Sequence, residues 1–246
     1  MHPILFRIGS YEVPAYGVAL TIAFAVGIAI ARRRARAVGI DEERVIDACL
    51  IALATSLVGA RLLWVVTHLE VFRGPGGGWL QAMNPFGGGR GGYTGLSMMG
   101  GVVLATVSSL AYLAWRGLPL LRTADLLAPS VLLGEGITRI GCFLNGCCFG
   151  DPCRLPWGVS FPGPRAGQMG SPPWADQVVR GLIDRSAAWS LPVHPTQIYS
   201  AIDGFVLTAL LLAYFPLRRR DGEVMALLMV TYPVTRFLIE WLRNAV

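Results

Sequence analysis

Charged residues inside long apolar runs constrain this chain more than any other feature of its sequence. Six runs approach or reach the roughly 20 residues needed to cross a bilayer: about 15–31, 45–66, 96–115, 124–144, 197–217 and 224–242. Arg61 lies in the second run, Glu135 and Arg139 in the fourth, and Arg236 and Glu240 in the sixth. A charge facing lipid tails costs several kcal/mol, so these five should face one another or an internal cavity. Glu135 with Arg139, and Arg236 with Glu240, are spaced to meet on one helix face. Ion pairs that lock a helical bundle are one reading. The charge count favours another, because two glutamates cannot neutralise three arginines. An anion would balance the sum, and arginine's planar fork grips phosphate bidentately. At that depth the natural anion is a phospholipid headgroup.

Composition agrees with a membrane protein. Apolar residues make up 54% of the 246 and charged residues 15%, against about 25% charged in a soluble domain. Mean hydropathy is +0.54. The expected fold is all-α: a polytopic helical membrane bundle of six or seven spans, forming one transmembrane domain over 1–246. All 21 basic residues are arginine and the net charge is +6. No basic stripe is interleaved with aromatics, which argues against nucleic acid. The short basic connections 32–44, 116–122 and 218–220 fall on one side of an alternating chain, and the positive-inside rule makes that side cytoplasmic. The N-terminus, the 68–94 loop and the long 145–193 segment then face outward. No basic region precedes the first apolar run, so it reads as a retained span.

Six prolines between Pro152 and Pro173 rule out a continuous helix in the 145–193 segment. It is expected to form an irregular outer cap over the bundle mouth. Gly87-Gly88-Gly89 and Gly91-Gly92 precede no Walker lysine and read as a flexible outer loop. Cys142, Cys147, Cys148 and Cys153 form a C-x4-C-C-x4-C series at the oxidising outer face. Disulfides stapling the cap are one reading and a thiol relay is another. The spacing is not a standard zinc pattern, so neither a metal nor a cofactor is expected. Cys49 reads as an inert core residue.

Several motifs occur in order. Tyr16-Gly17 opens the first span. The fourth run continues Gly136-Ile137-Thr138-Arg139-Ile140-Gly141-Cys142-Phe143-Leu144-Asn145-Gly146-Cys147-Cys148-Phe149-Gly150. Pro156-Trp157 and His194-Pro195-Thr196-Gln197 follow, and the sixth run carries Arg236-Phe237-Leu238-Ile239-Glu240-Trp241-Leu242-Arg243. This ordered set resembles the phosphatidylglycerol–prolipoprotein diacylglyceryl transferase family over nearly the whole chain. The resemblance implies transfer of diacylglycerol from phosphatidylglycerol to the lipobox cysteine of a preprolipoprotein, with release of glycerol phosphate. It implies a multi-pass protein of the bacterial inner membrane, with its active site toward the outer leaflet. Its partners would be phosphatidylglycerol, preprolipoprotein signal peptides and membrane lipids.

By the same resemblance, Arg139 binds the lipid headgroup, Arg236 is essential, and Tyr16 and Gly150 are important. From the residues themselves, Arg236 and Tyr16 are expected to serve catalysis, Arg61 to be a weaker third arginine at the headgroup, and Asn145, His194 and Glu240 to support the site. Two departures stand out. In Gly95-Leu96-Ser97-Met98-Met99-Gly100-Gly101, Met99 occupies the position of the family's histidine, so the family's proposed base is absent. Cys142 and Cys147 stand where the family commonly has asparagine and glutamate. The departures leave two alternatives: an inactive relative that binds lipid or a membrane partner, and a cysteine-based redox or metal-handling membrane protein.

Overall fold

The computed structural model of the chain describes residues 3–8, 11–72, 95–164 and 169–243. In chain order they form strands β1 (Ile4–Ile8) and β2 (Tyr11–Pro14), then helices α1 (Ala15–Val38), α2 (Glu42–Thr67) and the short α3 (Leu69–Phe72). Next come α4 (Met98–Trp115), α5 (Leu120–Asn145), the short α6 (Pro172–Val179), α7 (Thr196–Tyr214) and α8 (Glu223–Trp241). Among the described residues α1, α2, α4, α5, α7 and α8 are long and apolar enough to cross a membrane, α7 being carried on to Leu217 by a 3-10 turn. The protein is an all-α membrane protein, with six such helices among the described residues. The glycine-rich loop reading of 73–94 lies outside the described residues.

Two boundaries move for electrostatic reasons. α1 runs past Arg32-Arg33-Arg34 to Val38, because Arg32 and Arg36 both bond the Glu42 carboxylate across the turn into α2. α5 begins at Leu120 and takes in Arg122, whose guanidinium donates to the Val38 carbonyl at 2.9 Å. The N-terminal segment is an antiparallel hairpin, which the sequence reading did not anticipate. Its register places Arg7 opposite Glu12, and the two pair at 2.7 Å. Strands of four and five residues leave too little alternation to detect.

The described residues divide into two compact units. One joins the chain up to Ile30 with everything from Ala124 onward, and the other is Ala31–Thr123. In the second unit α2 and α4 cross backbone on backbone. A Cβ on Gly59 would strike the Gly100 carbonyl oxygen, and one on Gly100 would strike that of Gly59. Small residues are what permit such an approach between membrane helices. Polar bonds add to it: the Thr55 and Ser108 hydroxyls lie 2.7 Å apart, and Tyr112 donates to Asp47 at 2.8 Å.

The first unit packs α7 against α5 and α8 around Ala128, Leu132, Leu207, Leu211, Val224 and Leu228. The start of α8 is capped from a distant part of the chain. Asp125 is fully buried and accepts from Gly222 N–H at 2.8 Å and Met225 N–H at 2.9 Å. A carboxylate there satisfies orphan donors and meets the positive end of the helix. Asp125→Ala should therefore cost about 1–3 kcal/mol, read as a lower unfolding midpoint in detergent, with Asp125→Asn losing less. An unchanged midpoint for the alanine variant would contradict this cap.

The described part of the 145–193 segment is irregular, as expected. It contains α6 and isolated bridges pairing Pro152 and Val159 with Val193, and Pro162 with Trp189. Buried Gln177 clamps it, accepting from Leu191 N–H at 2.7 Å and donating to the Leu191 carbonyl at 3.3 Å. Trp174 donates to the Ala187 carbonyl at 2.7 Å.

Candidate active site

The C-terminal end of α5 organises the site. Gly146, with φ of 77°, ends the helix in a Schellman turn. Cys147 N–H bonds the Cys142 carbonyl at 3.2 Å, and Gly146 N–H bonds that of Phe143, also at 3.2 Å. Such a turn brings the side chain just past the helix onto the one five positions earlier. Here those two are Cys147 and Cys142, which explains the C-x4-C spacing physically. Cys148 follows with φ of 60°, a conformation uncommon for a non-glycine residue and worth noting near a functional site. Two buried side chains hold it there. Thr196 donates to the Cys148 carbonyl at 2.7 Å, and Gln197 donates to the Cys147 carbonyl at 2.7 Å.

The result is a cluster in which the sulfurs of Cys142, Cys147 and Cys148 all lie within 4.8 Å of one another. All three are free thiols in this structure. Asn145 is the last residue of α5, and the Cys147 thiol donates to the Cys142 carbonyl at 3.7 Å. Cys153 stands apart from the trio, its sulfur beside Gly158. The neighbouring Cys142 and Cys147 thiols, followed by the fields of Arg139 and Arg243, hold the Cys148 thiol well below the ordinary range. In reduced protein, alkylation of Cys148 by iodoacetamide should therefore persist below the ordinary thiol pKa of about 8.5; labelling that falls away as it does for a free thiol, read by peptide mass, would contradict this.

Four of the five ionisable groups expected from the sequence, Glu135, Arg139, Arg236 and Glu240, lie in the same unit as this cluster. Arg139 donates to Glu135 at 3.3 Å, and the same carboxylate oxygen accepts from Tyr232 at 2.7 Å. Arg236 pairs with Glu240 at 2.7 Å and reaches Ser200 at 3.4 Å. Glu240 is shared, because Arg243 also donates to both of its oxygens, at 2.7 and 3.0 Å. Tyr16 lies within electrostatic reach of Arg139 and all three cysteines. It is brought there because a Cβ on Gly141 would meet the Tyr16 Cα at 3.3 Å. An arginine carries five N–H donors, and these pairs use only some of them. The buried Nε of Arg243 has no hydrogen-bond partner among the described residues.

Gly150 and His194 have architectural positions. A Cβ on Gly150 would press on His194 Cβ and Thr196 Cγ2, each at 2.8 Å, and on the Leu242 carbonyl at 2.9 Å. Gly150 N–H bonds the His194 carbonyl at 3.0 Å. The His194 ring sits 3.5 Å from the Tyr199 hydroxyl, which accepts from Trp157 at 2.8 Å. These contacts fit a positioning role for His194. Beside them lies a cavity of about 180 Å³ lined by Cys148, Phe149, Gly150, Asp151, Arg180 and Arg243.

Arg61 belongs to the other unit, where it donates to the Gly95 carbonyl at 3.1 Å and lies 5.0 Å over the Trp64 ring. Within the first unit Arg243 and Asp203 join the count, Asp203 accepting from Thr235 at 2.9 Å. With Arg139, Arg236 and Arg243 facing Glu135, Glu240 and Asp203, a simple excess of arginine does not mark the site. Its mark is unspent donors beside a cavity. Asp203 was detectable as a carboxylate inside an apolar run. Arg180, Thr196 and Gln197 carried no such signal, since their roles depend on the fold of the cap. Met99 lies in the second unit and is 64% exposed.

Comparison with known proteins places the whole chain in one family. A relative from Clostridium tetani named phosphatidylglycerol–prolipoprotein diacylglyceryl transferase is 27% identical over 99% of this chain and 86% of its own length. Relatives of the same name from Thermotoga maritima and Rhodococcus jostii are 29% and 32% identical, covering 97% and 98% of this chain and 73% and 64% of their own lengths. The family profile described as prolipoprotein diacylglyceryl transferase matches residues 3–246. The chain belongs to the prolipoprotein diacylglyceryl transferase family.

Proposed function

We propose that this protein transfers diacylglycerol from phosphatidylglycerol to the lipobox cysteine thiol of preprolipoproteins and releases glycerol phosphate. The observation that carries the reading is the grouping of Arg139 and Arg243 about one cysteine cluster, with Tyr16 within reach of Arg139 and Arg236 linked to Arg243 through Glu240, in a chain whose relatives bear that activity in their names. The reaction breaks a carbon–oxygen bond, and negative charge grows on the departing phosphate. Preorganised donors aimed at developing charge, in a site shielded from water, are the strongest catalytic device available for such a step. Arg139 holds the headgroup phosphate and Arg236 stabilises the leaving phosphate. Glu135 and Glu240 keep the two forks oriented without using all their donors.

The six apolar helices suit a multi-pass protein of the bacterial inner membrane. The basic connections at 32–44, 116–122 and 218–220 support an active site toward the outer leaflet. The test uses the purified chain in nanodiscs with phosphatidylglycerol and a lipobox peptide. The expected products are a diacylglyceryl peptide and glycerol phosphate in equal amounts. Lipid binding with no product would assign the chain to the inactive relatives and sink the proposal.

A further inference from the structure

The thiol side of the reaction lacks its family base, because methionine at position 99 cannot take up a proton. The three-sulfur cluster offers another way to ionise a thiol. Zinc–thiolate bonds of about 2.3 Å put three ligand sulfurs about 3.8–4.0 Å apart. The sulfurs of Cys142, Cys147 and Cys148 lie within 4.8 Å of one another, so closing on one ion takes shifts of about 1 Å or less. The backbone is already committed to this geometry. The Schellman turn stacks Cys147 on Cys142, and the left-handed Cys148 is pinned through its carbonyl by Thr196.

The surroundings fit an ion as well. Three thiolates suit a soft or borderline cation. Arg139 and Arg243 act on Cys148 and would offset the negative charge of a thiolate-rich centre. The cavity reaches Cys148, leaving one side of the cluster approachable. Three protein ligands with an open fourth position are the mark of a reactive zinc site, whereas four ligands close a structural one.

We infer that Cys142, Cys147 and Cys148 hold a Zn²⁺ ion whose open position takes the substrate's cysteine thiol. This inference rests on the transferase reading. A thiol that coordinates zinc gives up its proton, here to water. The bound sulfur then donates a lone pair to the glyceryl methylene carbon. A carbon–sulfur bond forms, the carbon–oxygen bond to phosphate breaks, and its electron pair leaves with glycerol phosphate. Nothing is oxidised or reduced.

The test uses the full chain in nanodiscs, reduced, stripped with a chelator and titrated with Co²⁺. One cobalt should bind per chain, with thiolate-to-cobalt charge-transfer bands and intense tetrahedral d–d bands. A lipobox peptide should shift the d–d bands, and its serine analogue should not. Stripping should slow transfer about tenfold or more, and zinc should restore it. Cys148→Ser should weaken metal binding by about tenfold or more, while Cys153→Ser should leave it intact. Absence of stoichiometric metal would overturn the site, as would a disulfide within the trio in protein purified without reductant. Transfer that survives full stripping would overturn the inference and leave the transferase reading standing. Cobalt binding with the peptide response but no lipid transfer would support the site and sink the transferase reading instead. Tight Cu(I) binding that ignores the peptide would overturn the thiol-activating role.

Discussion

Arg139→Ala is expected to lower transfer by about a hundredfold to a thousandfold, the loss seen when one donor is removed from developing oxyanion charge. Arg139 is mostly buried, and its ion pair to Glu135 is a single contact at 3.3 Å. That leaves most of the guanidinium fork for a phosphate. Removing it also leaves Glu135 with Tyr232 as its remaining partner. Lysine at this position keeps the charge but loses the planar fork, so Arg139→Lys should recover only part of the rate. The controls are folding and metal content, both of which should be unchanged in the lysine variant. Full activity in Arg139→Ala would refute the headgroup role.

Substitutions at the crossing of α2 and α4 should produce the largest structural effect. Gly59 and Gly100 each place a backbone carbonyl where the other's Cβ would stand, and Leu63 and Leu104 crowd the same points at 2.5 and 2.6 Å. Backbone carbonyls cannot rotate away as a flexible side chain can. Gly100→Val should therefore reach or exceed the upper end of the usual overpacking penalty of about 1–3 kcal/mol, and the second unit should lose its helix pairing. Gly134→Ala is the matched control. Its Cβ would sit 3.9 Å from Ala23, in ordinary contact, and alanine gains about 0.5–1 kcal/mol over glycine inside a helix. Thermal unfolding in detergent should separate the two clearly. Equal midpoints would show that the crossing is not tightly packed. The glycines after Met99 thus have a packing role that is independent of any chemistry at position 99.

Much of the fold could be read from sequence because the bilayer restricts what an apolar run can become. The six runs matched six helices, with errors where charges extend a helix, as Arg32 and Arg36 do through Glu42. The intrahelical pairs Glu135–Arg139 and Arg236–Glu240 followed from their spacing alone. The site's lateral partners did not. Arg243 was visible in a motif but had no assigned task until Glu240 was seen to be shared. Thr196 and Gln197 bond carbonyls 48 and 50 residues earlier, a relation no local pattern encodes. The cysteine spacing was legible but its cause was not, because Cys142 and Cys147 meet through a helix terminus.

Intact mass of one lipoprotein, taken from cells depleted of their own transferase and supplied with this chain, tests the central claim most directly. The account predicts a mass increase equal to one diacylglyceryl group on the lipobox cysteine, and its loss when the chain carries Arg139→Ala. An unmodified cysteine in cells that make the folded, membrane-inserted wild-type chain would contradict it.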